Sequence, residues 1–348
     1  MNSSTLPPST PEPARTWVPD LLGEGFRNTS VHLGTDPDGE TDPIATVVRY
    51  CPDPDDESFA HRPAVLWIHG MSDYFFHPHV ARWLHDNGYA CYAIDLRKCG
   101  RSFCPGQSRH HITDLKLYDE ELNAALDIIT EQGHPRIAPM GHSTGGLIEA
   151  LWLDRLRTCD PQRYARISCA VFNSPWFELP LKGLKLRGTK AVVALMAKLR
   201  PNADVPDEGL AAYGKSLHIS EYGEWDFDLA HKPLAGFSKK FSWLDAIRRS
   251  QTQLAKGIET GVPNLVMHSD ASRLEGEYSP ATDTADAVLY VDHIADRAAK
   301  IGSQTTIEAI PGARHDVFLS KEHARQQAMA RTLEFLHTHM PTDVAPAE

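Results

Sequence analysis

Residues 141–146 read Gly141-His142-Ser143-Thr144-Gly145-Gly146, between a short apolar run from Arg136 to Met140 and a segment of helical spacing that opens at Leu147. The pattern is that of a strand turned abruptly into a helix with a serine at the apex, a nucleophile elbow. Such a turn strains the serine backbone and leaves no room for side chains at Gly141 or Gly145, which would collide across it. It holds the Ser143 hydroxyl in the open. The backbone N–H of Thr144 opens the following helix, where unpaired donors and the helix dipole favour a developing negative charge.

Outward from the turn, strands and helices alternate. Pro63 to Ile68 and Tyr89 to Ile94 are continuous apolar runs, as expected of strands buried on both faces of a parallel sheet. Between them Val80, Trp83 and Leu84 share a helical face that Gly88 ends. Leu115, Tyr118, Leu122, Ala125 and Ile129 form another face behind a cap at Thr113 or Asp114, with Gly133 beyond its end. After the turn, Leu147, Ile148, Leu151 and Trp152 give the next helix its buried side. Ile167 to Phe172, Pro263 to Met267 and Thr305 to Ile310 read as further strands, and Ser320 to Met340 as a closing helix. Phe26 to Leu33 and Ile44 to Cys51 suggest an antiparallel hairpin. The alternation predicts an α/β fold on a mostly parallel central sheet flanked by helices. Pro139 is discordant in its strand, because proline cannot donate to a ladder.

The strand-helix beat stops from Pro175 to about Ile258. That stretch carries many aromatics and an amphipathic run at Val192, Leu195, Met196 and Leu199. The expected organisation is a core of residues 21–175 and 260–340, a cap inserted at 176–259 over the site, a proline-rich flexible tail at 1–20 and a second tail at 341–348. The 348 residues carry a formal net charge of −11 without a Lys/Arg cluster, which argues against a nucleic-acid surface. No apolar stretch approaches the roughly 20 residues of a spanning helix, and no signal peptide is apparent, so a cytoplasmic enzyme without an integral membrane segment is expected. The six cysteines are scattered and read as packing thiols, with Cys99 and Cys104 close enough to raise the question of redox chemistry. His77-Pro78-His79 and His110-His111 read as core or surface histidines; no metal and no cofactor is expected.

Strand, elbow and helix, with a histidine near the C-terminal end, resemble the α/β-hydrolase fold over about residues 25–340. Within it, Trp67-Ile68-His69-Gly70-Met71 together with Gly141 to Gly146 looks like the monoacylglycerol lipase and lysophospholipase group, similar in turn to proline-iminopeptidase-like enzymes. Asp95-Leu96-Arg97-Lys98-Cys99-Gly100-Arg101-Ser102 is similar to that group's Asp-Leu-Arg-Gly-His-Gly-Arg-Ser, with Lys98 and Cys99 departing from it; Asn173-Ser174-Pro175 also fits. The resemblance implies a serine hydrolase that cleaves a small-molecule carboxylic ester through an acyl-enzyme. Ser143 would be the nucleophile, His315 in Pro311 to Phe318 the base, and the backbone N–H groups of Met71 and Thr144 the oxyanion hole.

A serine needs an imidazole to take its proton and a carboxylate to hold that imidazole in the right tautomer. Two carboxylates are open. The family pattern puts the acid near Ser272, which is not one, and Asp270 lies beside it. Asp286-Ala287-Val288-Leu289 resembles the family's Asp-x-Val-Val stretch, precedes a helix over Ile294 to Ile301, and lies 315 − 286 = 29 positions before His315. Asp286 is therefore the expected acid, behind an inserted loop from Ser272 to Ala285, with Asp270 as the alternative. Three rival readings share the scaffold: a peptidase, needing cap carboxylates such as Glu178, Glu221 or Glu224 for a substrate amine; an acyltransferase; and a non-catalytic binding module.

Overall fold

The computed structural model describes residues 15–206, 210–274 and 276–342. In chain order the elements are β1 (Val18–Pro19), β2 (Phe26–His32), β3 (Ile44–Tyr50), β4 (Ala64–Ile68), α1 (Pro78–Asp86), β5 (Ala90–Asp95), α2 (Tyr118–Glu131), β6 (Ile137–His142), α3 (Thr144–Cys159), α4 (Pro161–Tyr164), β7 (Ala170–Asn173), α5 (Gly183–Leu199), α6 (Ala211–Leu217), α7 (Phe241–Leu254), β8 (Asn264–Ser269), α8 (Val291–Ala298), β9 (Thr305–Ile310) and α9 (Glu322–His339). The described strands form one sheet in the order β1-β2-β3-β5-β4-β6-β7-β8-β9. The pairs from β1 to β3, and β3 with β5, are antiparallel; every later pair is parallel. This is the α/β-hydrolase architecture.

Every residue of β4, β5 and β6 is buried, which explains why their sequences are continuous apolar runs without alternation. Successive side chains still point to opposite faces. Leu66 joins one core layer with Leu122 of α2, Leu151 of α3 and Ile247 of α7; Val65 and Trp67 join the other with Leu84 of α1 and Leu336 of α9. The parallel strands all end on one edge, and the loops leaving that edge carry the residues of interest.

Pro139 sits inside the sheet, in register with Leu66 of β4. Ile137 N donates to Arg166 O on the β7 side, so the nitrogen of Pro139, two residues on, faces that side too. The β6–β7 ladder begins only at Met140, beyond the proline, and the missing N–H falls in the gap.

Two expectations are corrected. Residues 15–20 are not a tail: β1 pairs with β2, Trp17 packs on the core, and the buried Asp20 accepts from Asn28 and Arg101. Residues 1–14 of the expected N-terminal tail, and 343–348 of the C-terminal one, lie outside the described residues. The segment between β7 and β8 also divides. Its last helix, α7, buries Trp243, Ala246, Ile247 and Leu254 in the same layer as α3, as a crossover helix does, while α5 buries only Val193 and leaves Leu184, Val192, Leu195 and Leu199 exposed. Among the described residues no helix is long and apolar enough to cross a membrane.

Candidate active site

Ser143 lies between β6 and α3 with φ 52° and ψ −116°, a conformation that costs a non-glycine residue about 1–3 kcal/mol and persists only where its surroundings enforce it. They do so on both sides. Ser143 N donates to Asn173 O at 3.0 Å, and Ser143 O accepts from Trp176 N at 2.9 Å. A Cβ on Gly141 would come within 2.8 Å of the Gly145 carbonyl, and one on Gly145 within 2.5 Å of His69 O, so both positions require glycine as the sequence implied.

The loop after β4 passes beside the serine, where a Cβ on Gly70 would stand 3.2 Å from Ser143 Cβ. Leu96 N donates to His69 Nε2 at 3.0 Å, which makes Nε2 the unprotonated nitrogen. Nδ1 then carries the proton and donates to Gly70 O at 2.7 Å. Because a peptide unit is planar, anchoring that carbonyl fixes the orientation of the Met71 N–H as well.

His315 Nδ1 donates to Asp286 Oδ2 at 2.9 Å. The other oxygen of Asp286 accepts from Val288 N at 2.8 Å and Leu289 N at 2.7 Å, and the carboxylate is fully buried. A bridge between Ser272 and Asp286, with Asp286 N donating to Ala271 O and Arg273 N to Asp286 O, returns the chain to the end of β8 after the loop. Asp286 thus occupies in space the place that Ser272 occupies in sequence. Asp270 is exposed and accepts from Gly312 N at 2.9 Å; it shapes the turn after β9 and is not brought to His315.

A second carboxylate was not singled out from the sequence. Asp316 is fully buried; it accepts from Asn173 Nδ2 at 2.7 Å and Phe318 N at 3.0 Å through one oxygen, and from His77 Nε2 at 2.9 Å through the other. Burial alone would raise its pKa, but His142, His77 and Asn173 hold it well below the usual range. Asn173 also accepts from Val317 N, so one asparagine joins the serine turn to the histidine loop. The side chains that engage Asp316, Asn173 and His77, lie 143 and 239 positions away in sequence, and the local signal is that Asp316 adjoins His315. Burial drives the His142 imidazole down to about 4; the ring is neutral, with Nδ1 against Asn173 O and its centroid 4.9 Å from that of His315.

Glu149, on α3 beneath the turn, is fully buried against Gly141. Burial pushes its carboxyl well above the usual range, and the Gly141 backbone offsets this only in part, so it is held neutral. The two departures from the family stretch also find their reasons. Lys98 adopts φ 63°, a conformation that favours the family's glycine, and its buried ammonium pairs with Asp36 at 2.7 Å and Glu40 at 3.1 Å. Cys99 is buried, and burial pushes its thiol up, away from the reactive range.

Met71, Ser143, Thr144 and His315 all line one cavity of about 870 Å³, within the range typical of small-molecule sites. Much of its remaining wall is apolar, including Leu179, Leu210, Leu234, Leu244, Val288 and Leu289. None of Glu178, Glu221 and Glu224 reaches it. Glu178 is engaged by Lys190 at 2.7 Å and Arg297 at 2.9 Å, and Glu224 pairs with Arg325 at 3.2 Å.

The fold recurs in known structures. A soluble variant of monoglyceride lipase from Saccharomyces cerevisiae, in complex with a substrate analog, superposes with a TM-score of 0.65 at 19% identity, over 95% of this chain and 99% of that one. A carboxyl esterase from Bacillus coagulans gives 0.60 at 14% identity, over 91% and 99%. The monoacylglycerol lipase of Paleococcus ferrophilus gives 0.54 at 16% identity, over 80% and 96%. No curated protein sequence matches the chain. The family model described as serine aminopeptidase, S33, matches residues 60–322, and with the elbow, the sheet order and the cavity it completes the assignment: the chain belongs to that family of α/β-hydrolases.

Proposed function

We propose that the protein is a serine hydrolase that cleaves an amphiphilic carboxylic ester through a Ser143-His315-Asp286 triad. The observation that carries this reading is the buried His315–Asp286 pair opening onto the same largely apolar cavity as the strained Ser143. With Nδ1 donating to Asp286, Nε2 is the nitrogen left to take the Ser143 proton as the oxygen attacks the acyl carbon. The negative charge on the former carbonyl oxygen would be met by the N–H groups of Met71 and Thr144. The proton on His315 then goes to the departing alcohol, and water repeats the sequence to release the acid.

The ester reading is favoured over a peptidase by the wall of the cavity. An aminopeptidase needs an available carboxylate for the substrate amine. Among the described lining residues the only acid is Asp73, and Lys232 already pairs with it at 2.9 Å. Acyl transfer would share the first half-reaction. The cap, in this reading, comprises about residues 176–240, with α7 counted in the core.

The test is a chain-length series of glyceryl and aryl esters, run beside Ser143→Ala and fluorophosphonate labelling. Wild type should label on Ser143 and favour medium or long acyl chains, while Ser143→Ala should lose turnover and labelling with little change in Tm. A folded wild-type sample that takes no label overturns the proposal.

A further inference from the structure

The part of the cap between Phe227 and Phe237 is fastened, nearly residue by residue, to the chain that follows Met71. Phe237 N donates to Ser72 Oγ at 2.9 Å, Lys232 Nζ to Asp73 Oδ1 at 2.9 Å, and Asp228 N to Tyr74 Oη at 2.8 Å. The Phe227 and Phe76 rings pack at 4.8 Å between centroids. The Lys232 ammonium lies over Phe76 at 5.3 Å and over Tyr213 and Phe227 at 5.9 Å. Lys232 and Asp73 are 8% and 2% exposed, and both line the cavity beside the serine.

A buried ion pair is a poor device for stability, since well-packed apolar side chains of similar size often do as well or better. What this pair adds is geometry. The Met71 amide is fixed from behind by the His69 contact to Gly70 O. Ahead of it, Ser72 has φ 52°, a conformation that needs support, and Ser72 and Asp73 are both held by the cap. We infer that Lys232, acting through Asp73, is a positioning residue for the Met71 amide, so that the cap takes part in the chemical step by setting the oxyanion hole. The inference rests on the ester-hydrolase reading above.

Lys232→Met alone would strand Asp73 as an uncompensated buried charge and threaten folding. The informative protein is the full chain carrying Asp73→Asn and Lys232→Met together. On p-nitrophenyl acetate, too small to depend on the acyl cavity, its kcat should fall about 10- to 100-fold with KM changed less than about threefold. Lys232→Arg should keep most of the wild-type kcat. Ser72→Ala, which leaves the ion pair intact and removes the acceptor of Phe237 N, reports on the neighbouring contact alone; if the double variant does not fold, Asp73→Ser with Lys232→Leu is read by the same kcat and KM criteria.

A folded double variant with kcat within about twofold of wild type overturns the inference, even if KM for long-chain esters rises, because that pattern means the pair only holds the cap in place. A wild-type protein that neither labels with fluorophosphonate nor hydrolyses esters overturns the parent reading and this one with it. Normal wild-type activity beside an unaffected double variant removes this inference alone.

Discussion

One oxygen of Asp286 takes the amides of Val288 and Leu289, and the other takes His315. Engaged on both sides, the carboxylate cannot turn away from the imidazole. Asp286→Asn keeps the shape but no longer favours the Nδ1-protonated tautomer, and kcat should fall by about 10³- to 10⁴-fold. Asp270→Asn touches only the Gly312 turn and should stay within about twofold; steady-state kinetics of the two variants on one ester checks both. A residue is legible in sequence when its reasons are local. The place of Ser143 at the turn is legible because the glycines that surround it are its reason, and the place of His315 because the loop after the last strand is short. For the carboxylate the sequence favours Asp286 and leaves Asp270 open, because the loop from Ser272 to Ala285 separates sequence position from spatial position; the Ser272–Asp286 bridge brings Asp286 back beside the end of β8. Asp316, His77 and Asn173 meet across separations of 143 and 239 positions, and no spacing announces them.

The β6–α3 unit carries its own liability in Glu149. Its folded pKa lies well above that of an ordinary carboxyl because burial disfavours the charge. As pH rises past the ordinary value, the unfolded chain gives up a proton that the folded chain retains, so this group lowers stability progressively with rising pH until the folded pKa is reached. Glu149→Gln removes the linkage while nearly keeping the shape of the side chain. Its Tm should exceed that of wild type at pH 8 by roughly 2–4 °C and converge with it near pH 4, read from thermal melts; parallel curves would contradict a neutral Glu149. Elements were read well where the hydrophobic period was clear, as in α2, β4 and α9. The sequence groups α7 with the cap because Phe241 and Trp243 mark a buried face without saying which layer buries it, and a crossover helix looks in sequence like one more helix of a cap.

Across the whole molecule the opposite sign dominates at low pH. Against the cost of burial, Asp316 is held below the ordinary range by His142 and His77, Asp20 by Arg101, and Asp36 by Lys98. Each contributes stability that is fully present above the unfolded carboxyl value and is lost as pH falls towards the folded one. The pairs join the N-terminal strands, the β5 loop and the histidine loop. Unfolding below about pH 4 should therefore be cooperative, with Tm falling steeply between about pH 5 and 3. A Tm that stays flat to pH 3 would show that these pairs do not bear on the global fold.

The fastening of Phe227 to Phe237 onto Ser72 to Phe76 also has a consequence for protein engineering. A cap inserted between two strands invites exchange as a cassette, to give one core a new choice of ester. Here a transplanted 176–240 segment would arrive without the ammonium that Asp73 expects and without the amide that Ser72 receives. The module that can be moved between relatives is discontinuous: the cap together with the five residues 72–76, a hundred or more positions before it.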